Sequence, residues 1–295
     1  MYTILGATGN TGRVVAEKLL AAGKPVRVVG RNRERLEPFV EKGAQPFVGS
    51  VTDADFLAKA FDGATAVYAL IPPNMQVDNF LAYQNQVGEA ITKAIEKAGI
   101  TRVVNLSSMG AHLPEGTGPI RGLYFQEQRL NALSGVHVLH LRAGFFMENL
   151  LFQVDLIKNQ GICGSPMRGD LPMYLIATRD IGEYAAGHLL ELDFSGQEIH
   201  ALSGPRDYTM VEATRILGAA IGKPDLPYVQ FPYEDAEQAF IQMGIGPDIA
   251  RSYIEMYRGF NEGIGIAPTP DARHVRTKTS LEEFADFFAA VYRAG

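Results

Sequence analysis

The chain has 295 residues, of which 46% are hydrophobic and 20% are charged, and its formal net charge is −6. This composition is typical of a globular protein, and the acidic balance without a long Lys/Arg run argues against a nucleic-acid-binding surface. The single cysteine, Cys163, excludes an intrachain disulfide and a multi-cysteine metal site. No stretch reaches the roughly 18 apolar residues of a membrane span, and a glycine loop that begins at residue 6 leaves no room for a signal peptide, so we predict a cytoplasmic protein.

Strands and helices alternate along the first half of the chain. A short apolar run at residues 2–5 ends at a glycine and predicts a buried strand, and residues 11–23 have the apolar spacing of a helix. Further strands are predicted at residues 25–30, 44–50, 65–73, 101–108 and 135–142, with further helices at 32–43, 53–63, 76–98 and 122–133. Alternation of this kind produces parallel strands joined by right-handed crossovers. The predicted fold class is therefore α/β, a Rossmann-type doubly wound parallel sheet.

The alternation is lost after about residue 150. Turns, prolines and separate helical segments follow, and one more strand is predicted at residues 197–204. We therefore predict a first, Rossmann-type domain at residues 1–150. Residues 151–295 are expected to form a smaller, mostly helical cap, interleaved with the first domain, over the carboxyl edge of the sheet.

A glycine-rich loop joins the first strand to the first helix. The sequence LGATGNTGR places Gly6, Gly9 and Gly12 three residues apart. In this context the first glycine makes a tight turn, the second lets the backbone approach a pyrophosphate, and the third lets the helix pack closely on the sheet. The phosphate charge would lie against free N–H groups at the helix N-terminus. Additional side-chain hydrogen bonds are expected from Thr8, Asn10 and Thr11. The alternative is a tight turn without a ligand.

The end of the second predicted strand bears on the choice of nucleotide. An NAD-selective site places Asp or Glu about 20 residues beyond the glycine loop, but this chain has Gly30 and Arg31 there, followed by Arg33. Guanidinium groups match the 2′-phosphate of NADP, and cations at a helix start are unfavourable without a nearby anion. We predict NADP(H), bound through Arg31 and Arg33. The alternative is that these arginines form a solvated helix start.

The sequence resembles the NmrA-like family of atypical short-chain dehydrogenase/reductases almost from end to end. The resemblance is carried by ILGATGNTGRVVAEKLLAAG, ALIPP, NLSS, LRAGFFMENLL (141–151) and IATRDIGEYAA (176–186). It implies that Ile71, Pro72 and Ser107 lie beside the cofactor.

The segment after the third predicted strand departs from the family pattern. Related chains often carry Gly-Asp there, whereas this chain has Gly49 and Ser50. We expect Asp53, which follows shortly after and also begins a helix, to contribute to the cofactor site in this stretch.

The catalytic residues of short-chain reductases are incomplete. In that family Ser, Tyr and Lys form the active triad, with the last two as Tyr-x-x-x-Lys on a helix, but no tyrosine of this chain has lysine four residues later. Tyr124 lies about where the tyrosine is expected, with Gln128 at the lysine position. Ser107 ends the fifth predicted strand and His112 is close in sequence, so the candidate catalytic residues are Tyr124, Ser107 and His112.

Two functions are compatible with the resemblance. The first is an NADPH-dependent oxidoreductase that transfers hydride to a small acceptor, such as a quinone, an azo compound or an activated alkene or carbonyl, without the triad. The second is a non-catalytic NADP(H)-binding redox sensor of NmrA type. The expected acceptor pocket is lined by Phe145, Phe146, Met147, Met173 and Tyr174. We expect a small-molecule partner, no metal, no direct nucleic-acid or membrane binding, and a monomer or homodimer.

Overall fold

A single eight-stranded sheet runs through the molecule, and its strands are all parallel. The computed structural model describes residues 1–265 and 269–294. The strands are β1 (Tyr2–Ile4), β2 (Val26–Gly30), β3 (Gln45–Val48), β4 (Ala66–Ala69), β5 (Arg102–Ser108), β6 (His137–Ala143), β7 (Phe145–Phe146), β8 (Cys163–Ser165), β9 (Leu175–Ile176), β10 (Gln197–Ser203), β11 (Tyr228–Gln230) and β12 (Arg273–Arg276).

The strand order of the sheet is β12-β10-β6-β5-β4-β1-β2-β3. From β1 the chain first adds β2 and β3 on one side and then returns to add β4, β5 and β6 on the other. The direction of the crossovers therefore reverses between β1 and β4. In open α/β sheets, ligands bind outside the carboxyl ends of the strands at such a switch point.

Helices cover both faces of the sheet. They are α1 (Asn10–Ala21), α2 (Glu37–Val40), α3 (Ala54–Phe61), α4 (Phe80–Ala98), α5 (Arg121–Asn131), α6 (Gln153–Gln160), α7 (Thr178–Glu191), α8 (Met210–Ala220), α9 (Tyr233–Gln242), α10 (Pro247–Asn261) and α11 (Leu281–Ala294), with 3₁₀ turns at Glu34–Leu36, Gly118–Ile120 and Met147–Phe152. Apolar residues of α1 and α7 pack on one face, and those of α3, α4 and α5 pack on the other. The predicted doubly wound α/β fold is confirmed.

Local signals placed several element ends correctly. Asp53 caps α3 by accepting hydrogen bonds from two backbone N–H groups, and α4 ends at Gly99 in the left-handed conformation, with φ +65°. The strand predicted at 65–73 is shorter, since β4 ends at Ala69, three residues before the first of two prolines that cannot donate to a ladder. The helix predicted at 32–43 is wrong in extent, since only a 3₁₀ turn and the single turn of α2 form there.

The second half of the chain completes the first half. The strand predicted at 197–204 forms as β10 and pairs with β6. β12 pairs with the other side of β10 and becomes the edge strand of the sheet. β12 was not predicted, because its sequence RHVR is largely exposed and has little apolar character. Helix α7 packs closely on α1: a Cβ at Gly182 would lie 2.6 Å from the Val14 Cβ and 2.8 Å from the Thr11 carbonyl oxygen.

Helices from the second half also form a separate apolar cluster. Its buried members include Leu217 of α8, Phe260 of α10 and Phe288 of α11, together with Met147 from the 3₁₀ turn. Cys163 lies in this cluster, and burial raises the pKa of its thiol. Over residues 1–265 and 269–294, none of the helices has both the length and the apolar character needed to cross a membrane.

Candidate functional site

The glycine loop makes a sharp connection from β1 into α1. Gly6 has φ +62°, a conformation that favours glycine, and its carbonyl oxygen accepts a hydrogen bond from the Gly9 N–H at 2.9 Å. A Cβ at Gly12 would lie 2.7 Å from the Gly6 carbonyl carbon and would overlap the carbonyl oxygen. The protein itself therefore requires glycine at positions 6 and 12.

Gly9 has a different reason to be glycine. Its φ of −94° and ψ of 178° are open to any residue, and within 4 Å an added Cβ would meet only the Gly6 carbonyl oxygen, at 3.3 Å. Gly9 is the N-cap of α1, with no side-chain cap, and the first turn carries no acidic residue. The first N–H groups of a helix have no partner within the helix and carry its positive dipole end. This bare surface fits a pyrophosphate.

The three polar side chains of the loop differ in their surroundings. Asn10 is exposed and Thr8 is half-buried, so both can reach a ligand. Thr11 is buried, and its hydroxyl accepts a hydrogen bond of 2.9 Å from the Tyr68 hydroxyl. The expectation of a Thr11 side-chain contact with phosphate is therefore corrected, because the packing of α1 on the sheet turns this hydroxyl into the core, onto Tyr68.

Two arginines follow the carboxyl end of β2. Arg31 and Arg33 are both exposed, and within the described residues neither forms an ion pair. Burial raises the pKa of Tyr83, and Arg31 is near enough to oppose that shift. The Tyr83 hydroxyl donates to the Pro72 carbonyl oxygen at 3.0 Å, so Arg31 and the loop after β4 border the same region.

Asp53 has a local function that competes with ligand binding. Its Oδ1 accepts hydrogen bonds from the N–H groups of Asp55 and Phe56, both at 3.0 Å. The carboxylate is exposed, and its other oxygen has no bond within the described residues. Helix capping is thus the function that the structure assigns to Asp53, and a contact with the cofactor remains a prediction.

The carboxyl end of β5 carries a buried ion-pair cluster. Ser107 donates a hydrogen bond of 2.5 Å to Oε1 of Glu127, and Arg142 binds the same carboxylate through Nε at 3.0 Å and Nη2 at 2.5 Å. Sequence reasoning named Ser107 but missed Glu127 and Arg142. A signal was available: Glu127 lies at helical spacing between Leu123 and Leu130, where an apolar residue would be expected.

The lysine position of the short-chain reductases faces solvent in this chain. Gln128 is exposed, whereas Glu127, one residue earlier, is buried against the sheet. Tyr124 is half-buried and packs edge-on against Phe125, with ring centroids 5.2 Å apart. Gln128 is therefore not placed to replace the lysine of the Tyr-x-x-x-Lys motif beside the sheet.

His112 lies beside the ion-pair cluster in the loop after β5. It is half-buried, and within the described residues its Nδ1 is a buried atom without a hydrogen-bond partner. Burial, and then the nearby Arg142, lower the pKa of His112 against the opposing effect of Glu127. The lowered pKa favours the neutral ring, which weakens the expectation that His112 donates a proton as imidazolium.

The two family-specific segments of the second half contact each other directly. β7 pairs with β9, and a Cβ at Gly144 would overlap the Tyr174 carbonyl oxygen. The Glu148 carboxylate accepts hydrogen bonds from both the N–H (3.0 Å) and the hydroxyl (2.5 Å) of Thr178, the first residue of α7. Burial raises the pKa of Glu148. A cavity of about 350 Å³ opens between these groups, Asn10 and the start of α11.

The expected acceptor-pocket residues divide into two groups. Phe145, Phe146 and Tyr174 are half-buried and can face a ligand. Met147 and Met173 have 0% and 2% of their surface exposed and belong to the apolar cluster of the second half. Their burial in this cluster contradicts their assignment to the pocket, because neither side chain presents a surface to a ligand.

The sequence profile of the NmrA-like family matches residues 2–285. The chain belongs to the NmrA-like family. This membership confirms the resemblance noted from the sequence.

Relatives of this NmrA-like protein include characterised enzymes. An NAD(P)H azoreductase of Xenophilus azovorans is 27% identical over 299 residues, covering 100% of both chains. A (4-alkanoyl-5-oxo-2,5-dihydrofuran-3-yl)methyl phosphate reductase of Streptomyces griseus is 27% identical over 98% of this chain and 97% of that one. These names bear out the predicted class, an NAD(P)H-dependent oxidoreductase.

A solved structure shows the same fold. The NADPH-dependent quinone oxidoreductase of Escherichia coli, in complex with NADPH, superposes with a TM-score of 0.76 at 20% identity, covering 97% of this chain and 99% of that one.

Proposed function

We propose that this protein is an NADPH-dependent reductase that passes a hydride to a small acceptor, such as a quinone, an azo compound or an activated alkene or carbonyl. The observation that carries the proposal is the bare surface at Gly9, with two exposed arginines beyond the neighbouring strand β2, neither of which forms an ion pair within residues 1–265 and 269–294. The acceptor classes are supported by what the related enzymes are named for.

The cofactor would be held by the carboxyl edge of the sheet. The N–H groups that begin α1 would bind the pyrophosphate, with Thr8 and Asn10 beside them, and Arg31 and Arg33 would bind the 2′-phosphate. The nicotinamide half would then extend away from β2, over β4 and β5, bordered by Ile71 and Pro72. When bound, NADPH supplies the hydride.

The chain's own side chains would orient the acceptor and provide little acid catalysis. Reduction of a quinone to a hydroquinone takes two electrons and two protons, of which the hydride brings both electrons and one proton. Tyr124 borders the proposed site and can donate to the acceptor, but the neutral, exposed Gln128 cannot stabilise its phenolate. Because quinones and azo compounds are already reactive, we propose that water supplies the second proton.

The test is a panel of acceptors combined with a separate binding measurement. NADPH absorbance is followed with the purified protein and quinones, azo dyes, enones and aldehydes, while NADPH affinity is measured by cofactor fluorescence. We expect tight binding and oxidation by at least one acceptor. Tight binding with no oxidation across the panel would favour the redox-sensor function. Two features also favour that function: no lysine follows Tyr124 at the expected position, and the Ser107 hydroxyl already donates its proton to Glu127. Failure to bind NADPH would overturn the proposal.

A further inference from the structure

A column of buried polar side chains lies between α5 and strands β5 and β6. Val103 and Val138 are opposite each other near the amino-terminal ends of β5 and β6 and belong to the apolar core. Two residues further along, Asn105 is opposite His140, which is also hydrogen-bonded to Asn131 of α5. Ser107 and Arg142 come next. Polarity therefore increases toward the edge where the cofactor is proposed to bind.

The last layer of this column contains a buried ion pair. Glu127 has 1% of its surface exposed, and Arg142 binds both of its carboxylate oxygens. Burying two charges is costly, and an apolar pair of similar volume often stabilises a fold at least as well. Stability alone is therefore a weak explanation for this pair, and its position at the edge of the proposed site suggests a positioning function.

The ion pair determines what Ser107 can offer to a ligand. An ionised carboxylate only accepts hydrogen bonds, so the single hydroxyl proton of Ser107 lies in its 2.5 Å bond to Glu127. Toward any other group Ser107 presents lone pairs alone. It cannot donate to an oxygen that gains negative charge on an acceptor, because that stabilisation requires a donor.

We propose that Glu127 and Arg142 are positioning residues that hold Ser107 as a hydrogen-bond acceptor, and that Ser107 accepts from the carboxamide N–H of the nicotinamide. This inference rests on the proposed function. Ser107 lies two strands away from β1 on the side opposite β2, where the nicotinamide half is expected. Only 3% of Ser107 is exposed, so the contact requires the carboxamide to reach a nearly buried side chain.

The test compares NADPH with its reduced 3-acetylpyridine analogue, in which a methyl group replaces the carboxamide nitrogen. Both affinities are measured by fluorescence for the parent and for Ser107→Ala. The matched control is Ser108→Ala, because the Ser108 hydroxyl donates locally to the Met109 carbonyl oxygen. We expect Ser107→Ala to weaken NADPH binding roughly fivefold and analogue binding less than twofold, since a net hydrogen bond contributes about 1 kcal/mol. Ser108→Ala should change neither affinity.

The positioning residues are tested through non-additivity. Glu127→Leu combined with Arg142→Met removes the acceptor of the Ser107 proton and leaves no unpaired buried charge. This Glu127 variant should weaken NADPH binding as Ser107→Ala does, and adding Ser107→Ala to it should weaken binding no further.

Two results would overturn the inference: equal losses for NADPH and the analogue in Ser107→Ala, or parent affinity in a folded Glu127 variant. A parent protein that binds neither cofactor would instead refute the proposed function, and this inference with it.

Discussion

Substitution of two neighbouring glycines by alanine should separate cofactor binding from folding. Gly9 and Gly12 belong to the same loop, but only Gly12 is confined by the protein itself. A Cβ at Gly9 would meet a single atom at 3.3 Å, whereas a Cβ at Gly12 would meet three backbone atoms of Leu5 and Gly6. We expect Gly9→Ala to lose NADPH affinity in a stable protein and Gly12→Ala to lose stability.

The magnitudes follow from these distances. At Gly12 the new Cβ would be 2.7 Å from the Gly6 carbonyl carbon, about 0.7 Å short of the 3.4 Å at which ordinary contacts begin. Backbone atoms cannot rotate away as a side chain can, so α1 must shift, and overpacking of this kind costs about 1–3 kcal/mol. In a chain of this size that lowers Tm by roughly 2–4 °C for each kcal/mol. At Gly9 the new Cβ would be 3.3 Å from the Gly6 carbonyl oxygen, so that atom needs to move by only a few tenths of an ångström. The added methyl group would, however, occupy the space proposed for the pyrophosphate.

Thermal unfolding and fluorescence titration of NADPH on the same two variants provide the assay. Gly9→Ala should unfold within about 2 °C of the parent and bind NADPH at least tenfold more weakly. Gly12→Ala should unfold several degrees lower. If Gly9→Ala keeps full affinity, the pyrophosphate does not lie on Gly9. An unchanged Tm in Gly12→Ala would refute the close approach of α1 to the loop.

Three further predictions concern charge, catalysis and pH. Arg31→Ala should weaken NADPH binding roughly ten- to a hundredfold while NADH titrations barely change, because a charge-assisted hydrogen bond contributes about 1.5–3 kcal/mol; equal losses for both cofactors would contradict this. Tyr124→Phe should lower quinone turnover only modestly, and a loss of 10²-fold or more at unchanged NADPH affinity would identify a true proton donor instead. Burial lowers the pKa of His140 to about 4, between the amides of Asn105 and Asn131. Since the unfolded histidine titrates near 6.5, the stability due to the neutral ring is fully present above that pH and is lost as pH falls toward 4, by about 3 kcal/mol in all. Between pH 7 and 4.5, the free energy of unfolding measured in urea should therefore depend less steeply on pH in His140→Gln than in the parent. An equal pH dependence in the two proteins would contradict the low pKa of His140.

The sequence alone determined the features that depend on near neighbours. The alternation of strands and helices, the glycine turn into α1, the Asp53 cap and the Gly99 stop all follow from local periodicity and turn chemistry. The doubly wound sheet follows from that alternation, because parallel strands need crossovers of one hand. The position of Arg31 beyond the second strand is also a matter of counting residues.

Only the tertiary structure decided which way particular side chains face. Successive residues of a helix point about 100° apart, so the packing of α5 on the sheet puts Glu127 inside and leaves Gln128 in solvent. The pairing of β5 with β6 brings Ser107 beside Arg142, 35 positions apart in the chain. Packing likewise turns the Thr11 hydroxyl inward onto Tyr68 and buries Met147 and Met173. Each of these outcomes depends on strand register and helix rotation, which are set by contacts between distant segments, so the local pattern offers at most a hint, as the helical spacing of Glu127 between Leu123 and Leu130 does.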